Sequence, residues 1–215
     1  MNKKKRYVKE IFVKLFGFFG PQHWWPADGP FEVAIGAILT QNTNWQNVEK
    51  AISNLKNQGI LNAEAIHSTP LQTLARFIKP AGYYNVKARR LKAFVQFLIE
   101  EFRGKIEEMA SEDIPSLRKK LLQVYGIGPE TADSILLYAL NKPVFVVDAY
   151  TKRILSRHGL INKKASYEEI QSLFHQAMEP DPFIYNEYHA LIVKLGKTFC
   201  RPRPLCRECP LRIAR

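Results

Sequence analysis

The chain has 215 residues, 46% of them hydrophobic, and its 32 Lys+Arg against 20 Asp+Glu give a formal net charge of +12. That length and apolar content support one large domain or two small lobes with real cores, and no stretch is long and apolar enough to span a membrane. So basic a chain suits a polyanionic partner, most often nucleic acid, although charge alone also fits a merely basic soluble protein.

In chain order, the basic start Lys3-Lys4-Lys5-Arg6 and the apolar run Ile11–Phe19 have the outline of a secretion signal. Lys14 interrupts the run and no small-residue cleavage site follows, so an amphipathic or buried helix is expected instead. Asp28-Gly29-Pro30 reads as a start signal for an apolar helix over Phe31–Leu39. Val48, Ile52 and Leu55 mark a helix over Trp45–Leu55, and a shorter one over Leu71–Ile78 stops at Pro80 and Gly82. Leu91, Phe94, Val95, Leu98 and Phe102 form one stripe along Val86–Phe102. Further helices are expected over Ile114–Val124, Thr131–Leu140, Thr151–His158, Tyr167–Met178 and Asn186–Lys197. Only Val144–Val147 has strand character, and it is too short for a sheet. The pattern predicts a compact all-α fold. The remaining basic clusters, Lys87/Arg89/Arg90/Lys92, Arg118-Lys119-Lys120, Lys152-Arg153, Lys163-Lys164 and Arg201/Arg203, suggest a charged face rather than a disordered arm.

The most informative stretch is Tyr125-Gly126-Ile127-Gly128-Pro129-Glu130-Thr131-Ala132-Asp133. Two glycines around one apolar residue make a tight hairpin, and a helix entering directly after it turns its positive end outward, a geometry that binds phosphate. Pro129 suits the first helical position, and Glu130 and Asp133 load the first turn with the charge that the helix dipole favours. A plain glycine-capped connection would explain the same residues. Asp148 follows a second apolar run and reads either as the N-cap of the next helix or as a candidate catalytic carboxylate.

Order and spacing add more. Val124-Tyr125-Gly126-Ile127-Gly128-Pro129-Glu130-Thr131-Ala132, with Val147-Asp148 twenty residues past Gly128, resembles the helix-hairpin-helix and Gly/Pro-Asp motif of the endonuclease III-like DNA glycosylases. Ile38-Leu39-Thr40-Gln41-Asn42-Thr43 is similar to that family's Leu-Ser-x-Gln-x-Thr segment, and a cysteine loop follows near the C-terminus. The resemblance implies two helical lobes with a DNA-binding cleft between them: a six-helix lobe over about 24–141, and a second lobe from 1–23 plus 142–215. It implies that Gly126, Ile127, Gly128, Glu130 and Thr131 meet the DNA backbone, and that Gln41 fills the gap left when the target base leaves the stack. It further implies that Asp148 stabilises the positive charge that builds on the deoxyribose as the glycosidic bond breaks. A monovalent cation on the hairpin carbonyls is also implied; the chemistry itself needs no cofactor.

Family members that also cut the backbone carry a lysine at the position of Glu130. A carboxylate cannot form the Schiff base of that step, so base removal without a strong lyase step is implied. The Gly-Ile-Gly-x-Glu-x-Ala-Asp run, Thr40-Gln41-Asn42-Thr43 and Trp24-Trp25-Pro26 look like the 3-methyladenine glycosylase branch. Trp24, Trp25 and Trp45 are candidates for a pocket that stacks an electron-poor alkylated base, although composition alone makes each a packing residue. Two other readings compete: an endonuclease III-type glycosylase and lyase for oxidised pyrimidines, and a non-catalytic helix-hairpin-helix DNA-binding module.

Cys200, Cys206 and Cys209 are the only cysteines, too closely spaced for a disulfide framework and better suited to be ligands. Their C-x5-C-x2-C spacing resembles the family's [4Fe–4S] loop, C-x6-C-x2-C-x5-C, but the fourth position holds Arg215. A cluster with a substitute ligand, a zinc site and a metal-free loop all remain open. The expected partner is damaged double-stranded DNA and no membrane, with a monomer in the cytoplasm, on the nucleoid if the source is prokaryotic.

Overall fold

The structure, a computed structural model, describes residues 3–212. It is all-α: eleven α-helices and no strand occur among the described residues. None of these helices is long and apolar enough to cross a membrane. The chain divides into two compact units, one of Ala27–Leu140 and one combining Met1–Pro26 with Asn141–Arg215.

The unit over 27–140 is built around α2 (Pro30–Leu39), in which every residue from Val33 to Leu39 is buried. A helix apolar on all sides belongs at the centre of its unit. α3 (Trp45–Asn57), α6 (Tyr84–Phe102) and α8 (Pro129–Ser134) pack on it, α4 (Ala63–Ser68) and α5 (Leu71–Phe77) pack on α6, and α7 (Ile114–Gln123) packs on α8. α8 widens into a π-helical turn over Ile135–Ala139, closed by Leu140 N–H donating to Ile135 O at 3.2 Å. The periodicity did not reveal α4 or the 3-10 turn over Ile106–Ser111, because one or two apolar residues do not make a stripe.

The other unit holds α1 (Lys3–Phe19), α9 (Ala149–Arg157), α10 (Tyr167–Ala177) and α11 (Pro182–Thr198). Its core is aromatic: the Phe145 and Phe174 rings stack at 3.7 Å, and buried Tyr188 donates its hydroxyl hydrogen to Val8 O at 2.8 Å. Val144–Val147 is buried but forms no regular secondary structure. Side chains of α10 occupy its backbone groups instead. Phe145 N–H donates to His175 Nε2 at 3.0 Å, Gln171 Nε2 donates to Phe145 O at 2.7 Å, and Val147 N–H donates to Tyr167 Oη at 3.2 Å. Buried backbone needs partners, and these supply what a sheet would have supplied. The segment delivers the chain directly to Asp148.

Several basic residues face inward rather than forming part of a charged surface. Lys87 is 1% exposed, and Arg118 grips fully buried Asp133 with two bonds, Nε to Oδ1 at 2.7 Å and NH2 to Oδ2 at 3.2 Å. Asp133 therefore clamps α8 to α7 and does not load the helix end with exposed charge. Such a bidentate, desolvated pair is costly to break from one side only.

Candidate active site and nucleic-acid interface

Asp148 is the N-cap of α9. Its Oδ1 accepts from Thr151 N–H at 2.7 Å and from Thr151 Oγ1 at 2.8 Å. Capping uses one carboxylate oxygen, so the other is left for a second task. Oδ2 faces His189 Nε2 of α11 at 3.6 Å, with the two side chains 11% and 7% exposed. Burial works against the ionised carboxylate, but the His189 imidazole and then the two Thr151 donors outweigh it and hold Asp148 below its ordinary carboxylate range.

Trp24 stacks on His189, with centroids 5.6 Å apart and planes 2° from parallel, and Trp25 stacks on Trp24 at 5.8 Å and 12°. Three aromatic rings thus run from the carboxylate to the segment ahead of α2. That segment is tied down at Gln22, whose backbone N–H donates to the buried Glu187 carboxylate of α11 and whose Nε2 donates to Gly20 O at 2.9 Å. Beside Trp24 lies a cleft of about 200 Å³, bordered by Gln22, Val193, Lys194 and Lys197. α9 and α11 approach closely because Gly196 has no side chain. A Cβ there would stand 2.2 Å from Tyr150 Cδ1, and Arg153 lies over the same ring at 4.9 Å. Trp45 belongs to the other unit, where it opens α3 and donates Nε1–H to Glu49 Oε1 at 2.9 Å.

The hairpin stands in the unit over 27–140. Gly126 has a φ of +82°, which favours glycine, whereas Gly128 has ordinary φ and open space where a Cβ would point. Ile127 is 5% exposed and its N–H donates to Val124 O at 3.1 Å, so its side chain anchors the turn. Thr131 is buried and Glu130 is exposed. Gln41 reaches the hairpin directly: Nε2 donates to Gly126 O at 3.0 Å and to Thr131 Oγ1 at 2.8 Å, and Oε1 accepts from Arg90 NH1. A monovalent cation here would share the hairpin carbonyls through their second lone pairs.

Among the described residues no three His, Cys, Asp or Glu side chains are grouped to hold one metal ion, and Arg215, at the fourth position, lies outside those residues. Cys200 is buried, Cys206 exposed and Cys209 half-buried. Two arginines of α9 hold the cysteine loop. Arg153 Nε donates to Cys200 O at 2.8 Å, and Arg157 donates to Cys200 Sγ at 3.2 Å, Arg201 O at 2.6 Å and Pro202 O at 2.9 Å.

The groove over Asp28, Glu32, Lys56 and Glu107, larger at about 580 Å³, lies at the far end of α2 from Gln41. Its carboxylates Asp28 and Glu32 already pair with Lys56 at 2.7 and 2.8 Å.

The sequence reading missed His189, Arg90 and Lys87. A histidine in the apolar run Ala190-Leu191-Ile192-Val193 was the available signal for the first, since a buried polar side chain in a core helix needs a reason. The other two stand in the basic cluster Lys87/Arg89/Arg90/Lys92, whose charge pattern points to a surface and not to internal partners.

A helix-hairpin-helix followed by a capping aspartate in an all-α chain defines a class of nucleic-acid enzymes, and comparison identifies it. Residues 35–180, more than half of the chain, match the model of the HhH-GPD superfamily of base excision DNA repair proteins, and the chain belongs to that family. The coarse activity follows: it is a base-excision DNA glycosylase. A protein of Methanocaldococcus jannaschii, named as a proposed DNA repair glycosylase, is 50% identical over 211 residues, 97% of this chain and 96% of that one. Endonuclease III of Thermotoga maritima is 30% identical over 184 residues, 85% of this chain and 81% of that one. Among solved structures, the H. pylori 3-methyladenine DNA glycosylase bound to 1,N6-ethenoadenine superposes with a TM-score of 0.77 at 30% identity, covering 91% of this chain and 98% of that one. A trapped endonuclease III–DNA covalent intermediate superposes at 0.83 with 22% identity, a likeness of fold, over 98% and 94% of the two chains.

Proposed function

We propose that the chain is a monofunctional glycosylase that releases alkylated purines from duplex DNA. The observation that carries this reading is the second oxygen of the Asp148 carboxylate, not used in capping and turned to His189 beside the Trp24–Trp25 stack. In the proposed step a water oxygen bonds to C1′ while the bond to the base nitrogen breaks and its electron pair leaves with the base. Asp148 stabilises the positive sugar and takes the water's proton. An alkylated purine is already a good leaving group, so selection by aromatic surface suffices. Trp24, Trp25 and the lysine-edged cleft beside them support that choice, as does the ethenoadenine bound to the H. pylori relative.

The unit over 27–140 supplies the grip. Gly126, Gly128 and the entry of α8 take the phosphate backbone, with Glu130 and Thr131 at its edge, and Gln41 fills the gap behind the extruded base. Glu130 in place of the Schiff-base lysine supports base removal without strand cutting. The partner is double-stranded DNA, bound by a monomer.

A panel of duplexes, each with one defined lesion and scored with and without alkaline cleavage, tests both halves. Strand breaks at alkylated purines only after alkali are expected. Borohydride-trapped adducts would favour the lyase reading, to which the Thermotoga relative's name points. Full base release by Asp148→Asn would overturn the mechanism.

A further inference from the structure

Gln41 is held from three sides, all within one unit. Its Nε2 donates to Gly126 O at 3.0 Å and to Thr131 Oγ1 at 2.8 Å, and its Oε1 accepts from Arg90 NH1. A carbonyl can only accept and a guanidinium can only donate, so only one of the two amide orientations satisfies both neighbours. The side chain is fixed in direction as well as in place.

Arg90 is built into the hairpin. A Cβ on Gly126 would stand 2.3 Å from Arg90 Cγ and 2.6 Å from both Cδ and Nε, so the arginine stem occupies the space that the glycine leaves. Arg90 Nε is buried with no hydrogen-bond partner among the described residues. One turn earlier on α6, Lys87 donates to Leu39 O and to Ala81 O, each at 2.8 Å. Leu39 ends α2, where carbonyls lack helical partners, and Gln41 is two residues further on. Two cations on one face of α6 thus hold the same loop: Lys87 by its backbone and Arg90 by the side chain of Gln41.

We infer that Arg90 is a positioning residue for base removal: it acts through Gln41, locking the carboxamide onto the hairpin so that backbone grip and gap filling form one rigid piece before DNA arrives. The inference rests on the role proposed above for Gln41. A guanidinium on a basic protein invites a simpler explanation, a contact to phosphate, and the two make different predictions.

The test uses the full chain and a duplex carrying one alkylated purine. Single-turnover base release and the salt dependence of DNA affinity are measured for Gln41→Ala, Arg90→Met, Arg90→Lys and the double variant Gln41→Ala/Arg90→Met. Arg90→Met is expected to slow base release by about ten-fold, and to cost nothing further once Gln41 is alanine. The salt slope of binding should stay at the wild-type value, and Arg90→Lys, which keeps the charge but not the fork, should not restore the full rate. Additive losses, together with a salt slope reduced by about 1, would assign Arg90 to phosphate and overturn the inference. The Gln41 side-chain amide resonances of the DNA-free protein give a separate readout. They should move to the position of a solvated glutamine in Arg90→Met; unchanged resonances would also overturn the inference. If Gln41→Ala releases bases at the wild-type rate, it is the proposed role of Gln41 that fails, and the resonances still decide whether Arg90 holds it.

Discussion

His189 and Asp148 face each other from α11 and α9, with Nε2 3.6 Å from Oδ2. The carboxylate divides its work: Oδ1 caps α9 through Thr151, and Oδ2 is turned to the imidazole. One aspartate thus both ends a loop and, in the proposed mechanism, supplies the charge beside which a sugar cation forms.

Asp148→Asn separates these duties. Asparagine caps a helix about as well as aspartate, so the variant is expected to fold. Base release should fall by about 10²- to 10⁴-fold in single-turnover assays. The charge also leaves a mark on stability. Because the folded carboxyl titrates below its ordinary value of 3.8, its contribution is complete above that value and is lost as pH falls through the lower folded one. Acid unfolding curves of the two proteins should therefore approach each other below pH 3.8.

His189→Gln removes the first of the influences that keep Asp148 ionised while leaving it buried. The Asp148 carboxyl is expected to titrate at higher pH, read by carboxyl-carbon NMR. Base release should drop by about ten-fold, the typical worth of one hydrogen bond to a charged group. Trp24 also loses the ring on which it stacks, so its fluorescence should shift.

Gly196→Ala tests the approach of α9 to α11. The new Cβ would meet Tyr150 Cδ1 at 2.2 Å and Cγ at 2.8 Å, so the ring must move and the start of α9 with it. A loss of about 1–3 kcal/mol in denaturant titration is expected, with a drop in base release larger than the stability change explains.

Lys87 is pushed down to about 8 by burial, with the charge of Arg90 adding to the effect. An unfolded lysine holds its proton to about 10.5, so between pH 8 and 10.5 the unfolded chain binds more protons than the folded one. Stability from this group therefore rises with pH across that window and is flat below it. The stability difference between wild type and Lys87→Met should grow from pH 8 to 10.5, followed by urea unfolding at each pH.

Glu130→Lys places an amine where the backbone-cutting relatives carry theirs. Borohydride treatment on damaged duplex is expected to trap a protein–DNA adduct with this variant and not with the wild type, read as a shifted band on a denaturing gel.

Much of this protein was legible along the chain because the features are local. Helical stripes, the Gly126-Ile127-Gly128 turn, Glu130 at the lysine position and a capping aspartate at 148 each lie within a few residues, where periodicity and turn chemistry operate. The family followed from their order. Tertiary packing decided the rest. His189 meets Asp148 because Gly196 lets two helices close on Tyr150, and Trp24 reaches His189 from the opposite end of the sequence. Lys87, Arg118 and Arg153 became internal clamps although their surroundings in sequence looked like surface charge. The cysteine loop is held by Arg157 of α9, more than forty residues earlier in the chain. Spacing along a chain determines which turns and helices can form, whereas the partner of a buried charge or ring depends on which helices pack together, and no local pattern carries that information.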